Sequence, residues 1–533
     1  MSVLPVNPPT PPCVIHEDEH LLVVDKPPGW NTHAPAPHAG EGIYDWLRHR
    51  EPRWAPLAIV HRLDKETSGI LVFGKTPLAN RSLTEQFARR QAHKRYVCAT
   101  DRPVPRDVFV VRNRLERVGD RYAAVRSGEH GDPAETRFRV IRREGDLTWL
   151  EAEPVTGRTH QIRVHASGEG LPLLGDVLYG GTPAGRLHLH AARLQIRHPA
   201  TDAEVTFEAE ADFQSPASRQ LREGFIDPSE TTAHRVVHGA SDACPGRYIE
   251  RLGAWALVLA EDPSGSPVPD ALLPGVKGVY GKRWTRQVRA LAAEEASPRL
   301  LSGVEAPERF EIVENGVRFE LSLREGYSYG LFLDQRDNRR RLLWGHVAEG
   351  FPLHREGGPQ PELLNCFAYT CAFSVCAALG GARTTSLDLS RKYLDWGRRN
   401  FGLNGLDPAG HDFIYGDVFD WLKRLAKKPR RFSVVVLDPP TFSRSREHGD
   451  FRAESDYAEL VGLALPLLAP DGVLLASTNA ARLRPEVFID DVRAAVHRSG
   501  REVVQERFQP QPPDFPMSRE EPGYLKTLWM RVS

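Results

Sequence analysis

The hydrophobic pattern of this chain changes at about residue 301, and that change constrains the fold more than any other feature. Before it, short apolar–polar alternations succeed one another with few long helical stretches: "HLLVVDKPPGW", "KRYVCAT", "TWLEAEPV" and "EVTFEAEADF" read as strands, and "PLANRSLTEQFARR" (77–90) has helical spacing. After it, a hairpin-like "RFEIVENGVRFELSL" leads into strands that alternate with helices, from "ELLNCFAYT" and "AFSVCAALGG" to "FSVVVLDPP" and "GVLLAST". Strand after strand predicts an α+β unit with mostly antiparallel pairing, and strand–helix alternation predicts a parallel, doubly wound α/β (Rossmann-like) sheet. A chain of 533 residues is also too long for one core. The expected organisation is multidomain: a Pro-rich, extended or disordered tail (1–12), an α+β domain (13–222), a small β-rich linking unit with a helix toward "RWTRQVRALAAEEA" (223–300), hence α/β, and the doubly wound domain (301–533).

Lys+Arg and Asp+Glu both number 70, so no global field announces a polyanion partner and any nucleic-acid site must be a local patch. Three basic runs stand out, "ARRQAHKRY" (88–96), "RDNRRRLL" (336–343) and "KRLAKKPRR" (423–431); the plain reading of each is a solvated helix face. None of the six cysteines forms a CxxC or joins a His cluster at zinc spacing, so no metal site is expected and buried free thiols are. With no signal peptide and no apolar run of about 18 residues, the expected location is cytoplasmic, without a membrane partner.

In "IVHRLDKETSGILVFGKT" (59–76) an arginine and an aspartate stand two residues apart at the junction of two apolar runs. Charges there are costly unless paired or used. The stretch is followed by "KRYVCAT", "AETRF", "GRTHQIRVH", "LLGDVLYGG" and "RLHLHAARL", after an initial "VVDKPPGW". Together, over residues 13 to about 210, these segments resemble the RluA family of RNA pseudouridine synthases. The resemblance implies that Asp64 is a carboxylate nucleophile, that Arg163 is the cation keeping it ionised, and that Tyr96 stacks on the uracil. A uridine inside a stack must flip out to reach a carboxylate, and Arg62 is placed to fill the gap it leaves. No cofactor is needed for this chemistry. Relatives often carry a helical RNA-binding module ahead of this domain; here only the Pro-rich tail precedes it, so RNA grip must come from elsewhere.

In the last third, "PELLNCFAYTCAFSVCAALGGARTTSLDLS" has a strand–loop–helix–strand form with Asp388 ending the second strand, where a carboxylate can accept ribose hydroxyls. Asp417 of "YGDVFDWL" and Asp438 of "FSVVVLDPPTFSRS" follow further strands. Singly each is also a common helix cap. In combination they resemble class I S-adenosylmethionine-dependent methyltransferases. "SYGLFLDQRDNRR", "LDPPTFSRS" and "PMSREEPGYLKTLWMRV" make the closer resemblance bacterial 23S rRNA methyltransferases of the RlmI and RlmK type. This implies S-adenosylmethionine as cofactor, Gln335 and Arg336 lining its pocket, and Asn365, Phe367 and Ala368 in the loop under the methionine moiety. It also implies 23S rRNA as partner, with no DNA expected. Two departures stand out. Cys371 occupies a loop position where relatives have glycine, bringing a side chain toward the cofactor. And neither "LDPPTFSRS" nor "LLASTNAARL" offers the cysteine that methylation of cytosine carbon 5 requires, which favours a ring-nitrogen target.

The expected function is therefore a bifunctional RNA-modifying enzyme, isomerase and methyltransferase. The alternative is a pseudouridine synthase whose second half has become an inactive RNA-binding module, with Cys371 as its support. A methyltransferase half for protein or small molecules is opposed by the preceding small unit, which resembles an RNA-handling domain.

Overall fold

The computed structural model describes residues 9–533 except 126–129, 266, 270–271, 285–296, 326–327, 355–356 and 446–448. Most of the expected tail and the helix expected in "RWTRQVRALAAEEA" lie outside the described residues.

The alternating runs of the first part pair into one eleven-stranded sheet. Its centre runs Leu21–Lys26, Ser68–Gly74, Leu189–Arg197, His93–Thr100, Leu147–Pro154. Pairing is antiparallel except between Ser68–Gly74 and Leu189–Arg197. At that parallel junction Ala191 pairs with Gly69 on one side and Tyr96 on the other. Gly69 has φ +110°, and a Cβ there would meet the Ala191 carbonyl oxygen at 2.4 Å, so only glycine permits this approach. The turn bearing Asp64 thus enters the sheet two strands from Tyr96. The helix Pro77–Ala88 forms where the sequence predicts one; Thr76 caps it by accepting the Ala79 N–H, with proline in its first turn.

A second sheet joins Ala233–His238, Tyr248–Leu252, Trp255–Ala260, Gly278–Arg283 and Arg299–Gly303. Its last strand crosses the expected boundary at 300/301, and the helix Ala217–Phe225 crosses the one at 222/223. The expected hairpin forms between Phe310–Glu314 and Val317–Leu321, turning through Asn315 and Gly316, both at positive φ.

The third sheet has seven strands. In chain order of its members the spatial order is 3-2-1-4-5-7-6: Asp412–Tyr415, Arg383–Asp388, Glu362–Cys366, Phe432–Leu437, Leu468–Thr478, Lys526–Val532, Val503–Gln509. The pairings among the first five are parallel, while Lys526–Val532 is antiparallel to both neighbours, so the sheet is mixed at one edge rather than wholly parallel. Helices Ala372–Leu379 and Arg391–Leu403 cover one face; Val418–Ala426, Ala453–Ala464 and Pro485–Arg498 cover the other.

The basic run 336–343 is not a solvated face: every residue from Arg336 to Leu343 is buried. Arg340 binds Glu51 of the first domain (2.5 Å) and Asp337 accepts from the Trp46 indole (3.1 Å). The runs at 88–96 and 423–431 are largely exposed. All six cysteines are free, five of them buried and Cys244 half-buried.

Candidate active sites

In the first domain Asp64 lies in the turn before Ser68–Gly74, closed by the Thr67 N–H on the Asp64 carbonyl. Arg163 comes from the helix Gln161–Gly168 and is buried. Its strongest partner is not Asp64 but Asp176, which it grips through Nε (2.7 Å) and Nη2 (2.8 Å). That fork holds the guanidinium so that Nη1, buried and without a hydrogen-bond partner, stands 3.6 Å from Glu66 Oε2 and 3.8 Å from Asp64 Oδ2. His160, in the left-handed region at φ 56°, places Nε2 3.9 Å from the same oxygen while its Nδ1 is hydrogen-bonded to the Tyr179 hydroxyl (2.8 Å). Burial pushes the Asp64 carboxyl above the usual carboxylate range, and His160 and Arg163 pull it back. Burial and the Asp64 charge push the Tyr96 hydroxyl up, so it is a neutral phenol. Lys26, driven down to about 7 by burial, donates to the carbonyls of Pro27, Trp30 and Lys65 and so anchors the Asp64 turn. Arg62 is exposed, with no ion pair or hydrogen bond among the described residues.

In the third sheet, Asp417, Asp388, Asn365 and Asp438 stand at the carboxyl ends of four adjacent parallel strands, the edge where open α/β sheets bind ligands. Asp388 accepts the backbone N–H of Tyr369 and of Ser390 (both 2.8 Å), fastening the loop that follows the first strand. In that loop Phe367, Tyr369 and Cys371 all have positive φ, and Ala368 donates to the Leu387 carbonyl. Asn365 gives its amide to Ser374 (3.0 Å), leaving a buried, unpartnered Oδ1. Asp417 also caps the helix Val418–Ala426 through the Asp420 N–H. Gln335 donates to Asp438 (3.1 Å) and Ser477 (2.8 Å). Burial and the nearby Asp334 push Asp438 up to about 7. Leu389 and Tyr415 are exposed beside the acidic row.

Two side chains expected near the cofactor have other partners. The Arg336 guanidinium is not paired with the acidic row; it is bound to both oxygens of buried Asp514 (2.9 and 2.5 Å) and packs near Phe225, at the contact with the first domain. Nor does Cys371 point toward the cofactor. Its thiol packs against Gly397 of the helix Arg391–Leu403, where an added Cβ would lie 2.3 Å from Sγ. The support for an inactive second half is thereby removed.

A family model described as RNA pseudouridylate synthase matches residues 20–168, and one described as S-adenosylmethionine-dependent methyltransferase matches residues 279–531. The ribosomal RNA large subunit methyltransferase I of Aeromonas hydrophila is 31% identical, over 68% of this chain and 92% of its own length. The chain belongs to the large-subunit rRNA methyltransferases. It is an S-adenosylmethionine-dependent methyltransferase that carries a pseudouridine synthase domain. The methyltransferase K of Neisseria meningitidis is 40% identical over 33% of this chain and 46% of its own length. A crystal structure of a candidate methyltransferase complexed with SAH matches with TM-score 0.51 and 29% identity, over 59% of this chain and 79% of that one. The acidic row, the backbone-exposing loop and the unpartnered Asn365 oxygen of this methyltransferase fit such a cofactor.

Sequence reasoning passed over several residues of both sites. Asp176 lay unremarked within "LLGDVLYGG", His160 within "GRTHQIRVH", and Tyr524 and Lys526 within "GYLKTLWMRV". In the structure Tyr524 donates to Asp334 (2.9 Å), and Lys526, lowered to about 8 by burial, donates to the Ala480 and Tyr524 carbonyls. An acid in the segment that follows the arginine-bearing "GRTHQIRVH" was the available signal for Asp176. Among the described residues no helix is long and apolar enough to cross a membrane.

Proposed function

We propose that the first site isomerises a uridine of 23S rRNA through Asp64, and that the second methylates a guanine ring nitrogen of the same rRNA, in the cytoplasm. The observation that carries the isomerase assignment is Arg163, held by the Asp176 fork so that its Nη1, without a hydrogen bond, lies within ion-pair distance of Asp64 and of Glu66. An Asp64 oxygen bonds to ribose C1′ as the N1–C1′ electron pair leaves with the uracil. The uracil turns, C5 attacks C1′, and the Asp64–C1′ bond breaks to restore the carboxylate. The C5 proton is lost and N1 gains one, so atoms and charge balance without a cofactor. Exposed Arg62 occupies the vacated stack.

S-adenosylmethionine supplies the second site with a methyl group already activated on sulfur. Asp388 accepts ribose hydroxyls, Asp417 faces the adenine, and Gln335 orients Asp438 beside the acceptor. A ring nitrogen has its own lone pair and needs no covalent adduct, whereas carbon 5 of cytosine requires a thiolate. Asn479 and Thr441, joined by a hydrogen bond (3.0 Å), occupy the rim beside Asp438, and the cysteines nearest along the sheet edge, Cys366 and Cys371, are fully buried with pKa raised by burial.

Mapping 23S rRNA from a deletion strain tests the reading: one pseudouridine and one methylated guanine should both be missing. Complementation with Asp64→Asn should restore only the methyl group, and with Asp388→Ala only the pseudouridine. Intact modification in the deletion strain would overturn it.

A further inference from the structure

Lys94 stands two residues before Tyr96 on the strand His93–Thr100, between the two loops that carry the isomerase chemistry. On one side is His61, next to Arg62: the His61 ring stacks on Phe87 (4.5 Å), and the Lys94 ammonium lies 5.9 Å from that same ring. On the other is the turn 156–160 leading to Arg163, where a methyl built on Gly157 would lie 3.4 Å from the ammonium. Other shielded lysines among the described residues have partners. Lys26 has three carbonyls, Lys75 has Glu17 (2.8 Å), and Lys526 has two carbonyls. Half-buried Lys94 has neither a hydrogen-bond acceptor nor a carboxylate within ion-pair distance among the described residues. Burial lowers its pKa with no acid opposing the shift. His61 cannot balance it: its Nε2 accepts the Val72 N–H, and burial with the Lys94 charge drives its pKa down to about 3.

A shielded ammonium without a counter-ion is costly, and a site that keeps one is completed by an anion from outside. We propose that Lys94 is the seat of an RNA phosphate flanking the flipped uridine. The inference rests on the isomerase reading of this site. Asp64 attacks the sugar of a nucleotide whose base lies on Tyr96, so the backbone of that nucleotide must pass the Asp64 and Gly157 loops. Lys94 is the unengaged cation between them. Gly157 keeps the ammonium uncovered, and Arg62 flanks the same passage as a second unpaired cation. This supplies part of the grip on RNA.

The test uses full-length protein and in vitro transcribed 23S rRNA labelled with tritium at uridine C5, since isomerisation releases that hydrogen. Lys94→Gln should lower kcat/KM about tenfold, mostly through KM, and flatten the slope of log(kcat/KM) against log[salt] by about 0.7–0.9. Lys94→Arg should recover most of the loss and the slope, and neither variant should melt below wild type. An unchanged KM and salt slope in Lys94→Gln, with wild type active, would overturn the phosphate seat alone. A lowered melting temperature with kcat falling as much as kcat/KM would also overturn it, in favour of a structural role. No tritium release by wild type would instead retire the isomerase reading, and the seat with it.

Discussion

At the scale of single residues, Asp64 carries its charge where burial disfavours it, and Arg163 and His160 offset that cost only in part. A carboxyl whose folded pKa lies above its unfolded value favours the fold while protonated. That contribution is lost as pH rises from the ordinary carboxylate range through the raised folded pKa. Activity runs the opposite way, because the nucleophile must be ionised: isomerisation should fail as pH falls through the same window. Asp64→Asn keeps the shape and removes the charge. It should cut tritium release by at least about 10³-fold, while raising unfolding free energy by roughly 1 kcal/mol, the low end for relieving a poorly compensated buried group. A variant that isomerises, or one that melts lower, would contradict this account.

At the scale of elements, the loop 367–371 and the helix Arg391–Leu403 solve one packing problem together. Cys371 takes a left-handed conformation, with φ 61°, that costs a non-glycine residue about 1 kcal/mol or more. Its thiol then needs the space that Gly397 leaves, since a Cβ there would meet Cys371 Sγ at 2.3 Å and Cβ at 2.8 Å. Gly397→Ala should therefore destabilise the chain by about 1–3 kcal/mol, despite alanine being the better helix former. Cys371→Gly should change S-adenosylmethionine affinity less than about threefold, because the thiol faces the helix. In the double variant the clash disappears, and denaturant unfolding should recover most of the loss. Additive losses in that cycle would mean the two residues do not share the space.

At the scale of the whole molecule, the helix Arg336–Trp344 locks the two catalytic domains into one body. Its Arg340 meets Glu51, its Asp337 meets Trp46, and Arg336 meets Asp514 beside Phe225 of the first domain. The next residue before this helix is Gln335, which holds Asp438. On the other side Trp46 packs edge-on against Trp30 (5.4 Å), whose carbonyl receives Lys26, the anchor of the Asp64 turn. Removing one partner of a buried ion pair costs about 3–5 kcal/mol through the charge left behind. Arg340→Ala should lower stability by that order and reduce both tritium release and methyl transfer. Calorimetry should show wild-type domains unfolding in one transition and the variant in two. Loss of one activity with a single transition retained would argue against a shared lock.

The sequence by itself determined what depends on local order. The change of period set the kinds of sheet, "ENGV" set a hairpin turn, and motifs brought Asp64, Tyr96 and Arg163, or Asp388, Asp417 and Asp438, to common places. Strand alternation and a strand's carboxyl end are properties of a short stretch, so they survive without knowledge of what packs above them. Only the tertiary structure decided what each polar group faces. A run of arginines looks like a solvated face until a glutamate arrives from 289 positions away, as Glu51 does for Arg340. Cys371 looks like an obstruction until its backbone angle turns the thiol toward Gly397. Arg163 looks like the partner of Asp64 until Asp176 takes its fork and leaves one nitrogen shared between Asp64 and Glu66. Each outcome depends on which distant element covers the residue, because a buried charge is settled by its partner and not by its neighbours in the chain.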